Sequence, residues 1–439
     1  MSIITTGYID REVAQLLNNT LNEGKIVVLL GPRQSGKTTL IKHILPQHKL
    51  VGYLTFDDLK LRQIIGDPNM GLKAAISRSI DINLDSPNLI IVLDECQKCP
   101  QVFEQVKLLY DSDGPKPRFL LTGSSSLELH SKSAESLAGR VRCLFLSPFS
   151  FSEYRNANSI PTEEGYKYID HIVNQNLTEE TGKEIFYKIS KSKEIRMKLL
   201  DEMLIFGSFP ECALYSDKSE KIKFLANFRN SYIEKDILDL SLIDDWKPYN
   251  HLLELLAEYN ASTFIIKDMA KQAGISDKTL KKYLNILQKT LLAKLLPVYT
   301  KNIKRRLAKS PKLHFCDMGF VSHLTESFDL ATLRSSGAIG KRLESFVFAE
   351  FLKASQNDWR PHSFSFWRTN SGYEIDLIYS LENALIPMEI KYSTEKPKLK
   401  SLMAFAEEQK GIKFKCVLYR GDYEYDKTTN THFIPIWGL

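Results

Sequence analysis

The 439-residue chain has no apolar run near the ~20 residues that a bilayer-spanning helix needs, so no membrane association is expected. Its longest greasy stretches, 89–93 and 291–299, are strand-sized or broken by Lys294. Only six cysteines occur (Cys96, Cys99, Cys143, Cys212, Cys316 and Cys416), mostly in apolar, strand-like surroundings. That scarcity excludes a disulfide-built scaffold and predicts a reduced, cytoplasmic compartment. The first residues lack a basic segment leading into an apolar core, so no secretory leader is expected. With 21 glycines and 17 prolines the chain is neither collagen-like nor low-complexity. What is present is ordinary globular material, 43% hydrophobic and 26% charged. At about 150 residues per domain, the length predicts roughly three domains.

The net charge of +6 is unevenly spread. Residues 262–312 contain 13 Lys or Arg against two acids, Asp268 and Asp277, giving +11 and leaving −5 for the remainder. A basic block on a mildly acidic body predicts a local nucleic-acid footprint.

The apolar run Lys25 to Leu30 predicts a buried strand, and it leads directly into Gly31, Pro32, Arg33, Gln34, Ser35, Gly36, Lys37 and Thr38. This matches G-x-x-x-x-G-K-[ST] in full, with Thr39 opening a helix that Pro46 stops. The glycines let backbone wrap a phosphate, and the loop N–H groups and helix N-terminus face the anion. Lys37 is expected to reach the β and γ phosphates of ATP, and the Thr38 hydroxyl to take one Mg²⁺ position. A second strand is expected from Val51 to Phe56. A third, Leu89 to Leu93, ends in Asp94 and Glu95, the arrangement in which the first acid holds Mg²⁺ and the second acts as general base. The fourth, Arg118 to Leu121, places Thr122 and Ser124 where a hydroxyl could orient the hydrolytic water. Arg140, before a fifth strand from Val141, is the candidate finger for the γ-phosphate of its own or a neighbouring subunit. Cys96 and Cys99 form a C-x-x-C without a second pair, so metal binding is not expected there.

Residues 155 to 195 are polar without a clear period and read as an insertion and helical connector. Residues 196 to 258 look helical and are expected to act as a lid over the nucleotide. Ala270, Gly274 and Leu280 have helix-turn-helix spacing, with Leu280, Tyr283, Leu284 and Leu287 as the buried stripe. Lys278, Lys281 and Lys282 are left on the other side, where they could face DNA, and Lys304, Arg305 and Arg306 form the basic tip of a hairpin that makes this a winged helix. Further on, Glu344 projects from a helix, Asp376 lies on a strand, and Glu389 and Lys391 follow as E-x-K on the next. Alternation puts those last two on one face. This is the E…D…E-x-K constellation of restriction-endonuclease-like folds, in which carboxylates bind Mg²⁺ and lysine steadies the scissile phosphate.

The stretches GPRQSGKTTL, VLDECQ, LLTGSSSLEL, SLAGR, SPFSFSEY, GSFPE, SYIEKDI, KLHFCDMGF, GKRLESFVFAE, FWRTNSGYEIDLIY and MEIK together resemble a family of bacterial and archaeal AAA+ ATPases that end in a winged helix and a restriction-endonuclease-like domain. The resemblance implies an α/β fold: a parallel P-loop sheet in 5-1-4-3-2 order, a helical lid, the winged helix and a C-terminal PD-(D/E)XK α/β domain. It departs from the family pattern at Cys96 (usually aliphatic), Ser208 (usually glycine) and Lys235 (usually arginine), the last shifting the finger role to Arg140. The domains are expected at 1–155, 156–258, 259–325 and 326–439. The expected function is Mg²⁺-dependent ATP hydrolysis coupled to DNA binding, with DNA cleavage by the last domain as an extension and a homo-oligomer in view. The rival is a signalling switch whose C-terminal modules bind protein partners.

Overall fold

The computed structural model describes residues 7–48, 50–79, 86, 88–114, 116–123, 137, 139–160, 166–238, 243, 245–300 and 310–439. The chain divides into two compact units, Thr5–Pro148 with Lys289–Leu291, and Phe149–Gln288 with Leu292–Leu439. Among the described residues no helix is long and apolar enough to cross a membrane.

The first unit contains α1 (Val13–Asn22), β1 (Ile26–Leu30), α2 (Lys37–Ile44), β2 (Val51–Thr55), α3 (Leu59–Gly66), α4 (Gly71–Ser79), β3 (Ile90–Asp94), α5 (Val102–Asp111), β4 (Arg118–Gly123) and β5 (Val141–Phe145). Its five strands are parallel in the order β2-β3-β4-β1-β5, the expected order read from the other edge. The central strands β1 and β3 are buried at every residue, as unbroken Ile/Val/Leu runs require when helices cover both faces. The edge strands β2 and β5 are only partly buried. Alternation divides the sheet between two cores: Ile26, Val28 and Leu30 face Leu61, Leu72 and Val106 of α3 to α5, while Val27 and Leu29 face Leu17 of α1 and Ile41 of α2.

The second unit begins with helices α6 (Phe151–Ala157), α7 (Tyr168–Val173), α8 (Glu179–Ile189), α9 (Lys193–Phe206), α10 (Pro210–Leu214), α11 (Lys218–Ser231) and α12 (Trp246–Glu258). Helix α11 ends at Ser231 and continues as a wider, π-type segment, Tyr232–Leu238. The wider turn allows consecutive Tyr232 and Ile233 both to be buried, and Tyr232 Oη meets Tyr249 Oη at 2.6 Å. The polar stretch after residue 155 also hides order: Tyr168, Ile172, Ile185 and Ile189 are buried, and Tyr168 stacks on Tyr423 of the C-terminal region at 5.5 Å. Next come β6 (Ser262–Thr263), α13 (Ile266–Gln272), α14 (Asp277–Lys289), β7 (Ala293–Leu296) and β8 (Lys312–Phe315), the strands forming a small antiparallel sheet with β8 in the middle. Helices α15 (Met318–Leu324), α16 (Leu330–Ser335) and α17 (Ala338–Ser355) lead to a mixed six-stranded sheet. Its strands are β9 (His362–Arg368), β10 (Glu374–Leu381), β11 (Ala384–Ile390), β12 (Lys415–Tyr419), β13 (Glu424–Asp426) and β14 (Thr431–Pro435), with α18 (Lys400–Glu408) preceding β12 and the order β13-β14-β12-β11-β10-β9.

Two histidines of this unit are buried, and at His432 burial outweighs the opposing pull of the Glu179 carboxylate. Burial pushes His432, beside Tyr423 Oη at 2.9 Å, down to about 4, and His314, beside Ser345 Oγ at 2.9 Å, down to about 3. Both stay neutral when folded, whereas the unfolded chain takes up their protons below about pH 6.5. Stability is therefore fully present above that pH and falls towards pH 4, by up to about 1.4 kcal/mol per pH unit for each histidine. Urea midpoints at pH 7, 6 and 5 should descend. His432→Gln should flatten part of the descent, and a midpoint unchanged down to pH 5 would contradict this reading.

Candidate functional site

The phosphate loop links β1 to α2 with the geometry its sequence demands. Gly36 caps the helix with φ 94, a left-handed turn suited to glycine. At Gly31 a Cβ would come within 2.2 Å of Leu146 O, so no side chain fits there. Lys37 is buried and donates from Nζ to Gly31 O at 2.7 Å and to Pro32 O at 3.0 Å, closing the loop on its own lysine. Thr38 and Thr39 are exposed on the first turn of α2. Arg11, which no motif signalled, braces the loop from outside: Nη1 donates to Ser35 O at 2.8 Å and Nη2 to Ser147 O at 2.6 Å. Ser35 is fully buried and its Oγ has no partner. A side-chain-free turn, an ammonium at its centre and an unused hydroxyl fit a phosphate group.

The acid pair lies at the carboxyl end of β3, two strands away from that loop in the same sheet. Asp94 is buried and both its oxygens are engaged: Thr122 Oγ1, from β4, donates to Oδ1, and Tyr53 Oη, from β2, donates to Oδ2. Burial, reinforced by the Asp94 carboxylate, pushes the Tyr53 hydroxyl well above the ordinary phenol range. Glu95 follows in a left-handed conformation (φ 58, ψ 43), which is uncommon for a non-glycine residue. Its N–H donates to Thr122 Oγ1 at 3.3 Å, and its Oε2 accepts from Gln97 Nε2 at 2.6 Å. Thr122 thus bonds the Asp94 carboxylate and the Glu95 backbone N–H, while Ser124 lies outside the described residues. Tyr53 and Gln97 are additions. The only hint of Tyr53 was a polar tip in an apolar strand, and Gln97 lay unread two places after Glu95. Cys96 and Cys99 are buried in the core beneath, with Cys96 Sγ donating to Leu93 O at 3.0 Å.

Arg140 requires a correction. It precedes β5 and therefore marks the opposite end of the sheet from the phosphate loop: its carbonyl accepts from Ile26 N, at the start of β1, at 3.1 Å. Its guanidinium makes a paired bridge to Asp111 at 2.8 and 2.9 Å, at the end of α5. A five-residue strand of about 16 Å separates it from the nucleotide end, so it does not serve its own chain's γ-phosphate.

The helix-turn-helix stands as its spacing predicts. Ala270 is buried, Gly274 takes φ 66, and Ser276 Oγ accepts from Thr279 N at 3.1 Å to start α14. Leu280, Tyr283, Leu284 and Leu287 are buried, whereas Lys278, Lys281 and Lys282 are exposed. Lys304, Arg305 and Arg306 fall outside the described residues.

The four residues of the E…D…E-x-K pattern do gather. Asp376 Oδ2 accepts from Ile390 N at 2.8 Å, and Lys391 Nζ lies 3.3 Å from Glu389 Oε1 and 3.8 Å from Asp376 Oδ2. Burial raises the carboxyls of Glu344, Asp376 and Glu389 above their usual range, neighbouring acids adding to the effect on each. Two residues not foreseen complete the group. Lys312 Nζ, from β8, lies 3.2 Å from Glu344 Oε2 and 2.5 Å from Glu374 Oε1. Among the described residues no three acidic, histidine or cysteine side chains are arranged to hold a metal ion. The constellation therefore does not fit a preformed metal centre: ammonium groups are interleaved with the acids. Lys312 was legible only as one more cation of the basic block, and Glu374 only as a residue two before Asp376.

Three family models match successive parts of the chain. Residues 23–155 match a family model described as an AAA domain, and residues 197–331 and 339–439 match two domains of unknown function (DUF8612 and DUF4143). An uncharacterized protein of Mycobacterium tuberculosis is 22% identical over 427 residues, covering 97% of this chain and 83% of that protein. One from Methanocaldococcus jannaschii is 25% identical over 432 residues, covering 94% and 87%. Among solved structures, the Aeropyrum pernix ORC2 protein in its ADP form aligns at 12% identity and TM-score 0.34 over 80% of this chain and 96% of that one. Cdc6p from Pyrobaculum aerophilum aligns at 12% identity and TM-score 0.28 over 74% and 98%. The chain thus carries a P-loop AAA domain followed by two domains to which the matching families assign no function.

Proposed function

We propose that the protein is a Mg²⁺-dependent ATPase that engages DNA through its winged helix. The observation that supports this best is the row of groups along one edge of the first sheet. The glycine loop follows β1, Thr122 ends the adjacent β4, and Asp94 and Glu95 end the next strand, β3. In this reading Lys37 leaves its loop carbonyls to meet the β and γ phosphates, and Thr38 and Asp94 hold Mg²⁺, which would neutralise charge on the triphosphate. Glu95, steadied by Gln97, accepts the proton of the attacking water. The exposed lysines of α14 meet DNA phosphates, and turnover is expected to respond to DNA. Partners are therefore DNA and, through an arginine supplied by a neighbouring copy, a homo-oligomer. Measuring ATP hydrolysis with and without double-stranded DNA at low salt tests the proposal; no hydrolysis in either state refutes it. DNA cleavage is left out, because the C-terminal acids already share two ammonium groups. That same cluster favours the second reading, a signalling switch with protein partners, which is distinguished by an absence of DNA affinity at low salt.

The hydroxyls on Asp94 give a prediction of their own. Thr122→Val removes a hydrogen bond to a buried carboxylate, worth about 1.5–3 kcal/mol, and should slow turnover about 10- to 100-fold. Tyr53→Phe removes the other but leaves Thr122 spanning both acids, so its effect should be smaller. Steady-state turnover of the two variants checks the ranking, and equal rates in both and wild type would remove Asp94's partners from the mechanism.

A further inference from the structure

We propose that the Lys312 ammonium is the resident cation of the cluster formed by Glu344, Glu374, Asp376, Glu389 and Lys391, and that a divalent ion reaches these acids only when Lys312 is withdrawn. Three observations carry this. First, Lys312 is 4% exposed, and its Nζ lies between Glu344 of α17 and Glu374 of β10, 5.2 Å above the Phe366 ring. Second, four carboxylates face two ammoniums, those of Lys312 and Lys391, with only Arg368 at the exposed rim, 3.6 Å from Glu374 Oε2. Negative charge is in surplus, and the buried Glu389 Oε2 has no partner. Third, the lysine comes from elsewhere in the fold. It is the first residue of β8, the middle strand of the winged-helix sheet, paired there with Thr263 and Leu296.

Carboxylates bind Mg²⁺ at about 2.1 Å and demand near-octahedral placement. A Glu344 oxygen committed to an ammonium is not in that position. Lysine in the cluster and a divalent ion are therefore alternatives, and the choice is made by a strand of the winged helix. The inference stands on this cluster alone, so its failure leaves the ATPase proposal untouched, and the reverse holds too.

The test uses the full chain and Mn²⁺ alone, with bound ion counted by electron paramagnetic resonance and thermal unfolding followed in parallel, without nucleotide. Wild-type protein should bind no Mn²⁺ in this cluster at about 0.1 mM and show no Mn²⁺-dependent rise in Tm. Lys312→Met should bind one Mn²⁺ per chain at least about tenfold more tightly than wild type, with a matching rise in Tm, and Asp376→Asn in that background should abolish both. Because Lys312→Met leaves more charge unbalanced, the pair Lys312→Gln with Glu374→Gln serves as a second variant with the same formal charge as wild type. Wild-type binding as tight as either variant's, and lost on Asp376→Asn, overturns the proposal. So do folded variants that bind no Mn²⁺. Unfolding of the charge-balanced pair overturns it as well, since a cluster that cannot release Lys312 without collapse offers no withdrawn state. An Asp94→Asn control separates Mn²⁺ held beside the phosphate loop, because that change leaves the C-terminal count alone.

Discussion

Glu95→Gln should bind ATP as wild type does and hydrolyse it about 10²- to 10⁴-fold more slowly, the usual contribution of a positioned general base. Glutamine keeps the size and the hydrogen-bonding reach towards Gln97 but cannot accept the proton. The backbone need not move, since the left-handed turn at φ 58 is already imposed on a non-glycine residue. Lys37→Ala should behave differently and lose ATP affinity itself. Its buried ammonium donates to Gly31 O and Pro32 O within the loop. Calorimetric titration with ATP and a phosphate-release assay on both variants distinguish the two roles. Unimpaired turnover by Glu95→Gln would remove Glu95 as the base.

Neutralising Lys278, Lys281 and Lys282 together should weaken DNA binding by about 10- to 100-fold near 100 mM salt and flatten the dependence of log affinity on log salt by about two to three units. The argument is one of position. The three side chains are exposed on α14, while Leu280, Tyr283, Leu284 and Leu287 hold the opposite face in the core. Their removal therefore costs charge at the surface and little packing, and Tm should be nearly unchanged. Fluorescence anisotropy across a salt series reads both quantities. A triple variant with the wild-type slope would place the DNA contact elsewhere or refute it.

The parts read correctly from sequence are those whose signal is local. Ile26 to Leu30 and Ile90 to Leu93 are apolar throughout because both faces are covered, and the strand order was what the family resemblance implied. Ala270, Gly274 and Leu280 specify a turn within eleven residues. What escaped was set by distance along the chain. Tyr53 and Asp94 are 41 residues apart, and Arg11 and Ser147 are 136 apart. Nothing in either neighbourhood names the other. Lys312 met Glu344 and Glu374 through the packing of three separate elements, so its charge was counted with the surface although its side chain is buried. The own-chain half of the Arg140 expectation failed for a simpler reason: a residue before a strand and a residue after it lie at opposite ends of a sheet, and the motif's closeness in sequence to the fifth strand concealed which end it marked. The connector from Tyr168 to Ile189 is helical as expected, but its individual helices could not be bounded because no sustained apolar period runs through its acids and lysines.

The conformation at Glu95 also bears on how such a protein loses its activity over generations. Asparagine or glycine would sit more comfortably than glutamate at that φ and ψ. If Glu95 is the base proposed above, a single codon change would end hydrolysis while leaving the architecture as sound as before, or slightly sounder. Selection on folding gives the acid no shelter; only selection on what it does can keep it there.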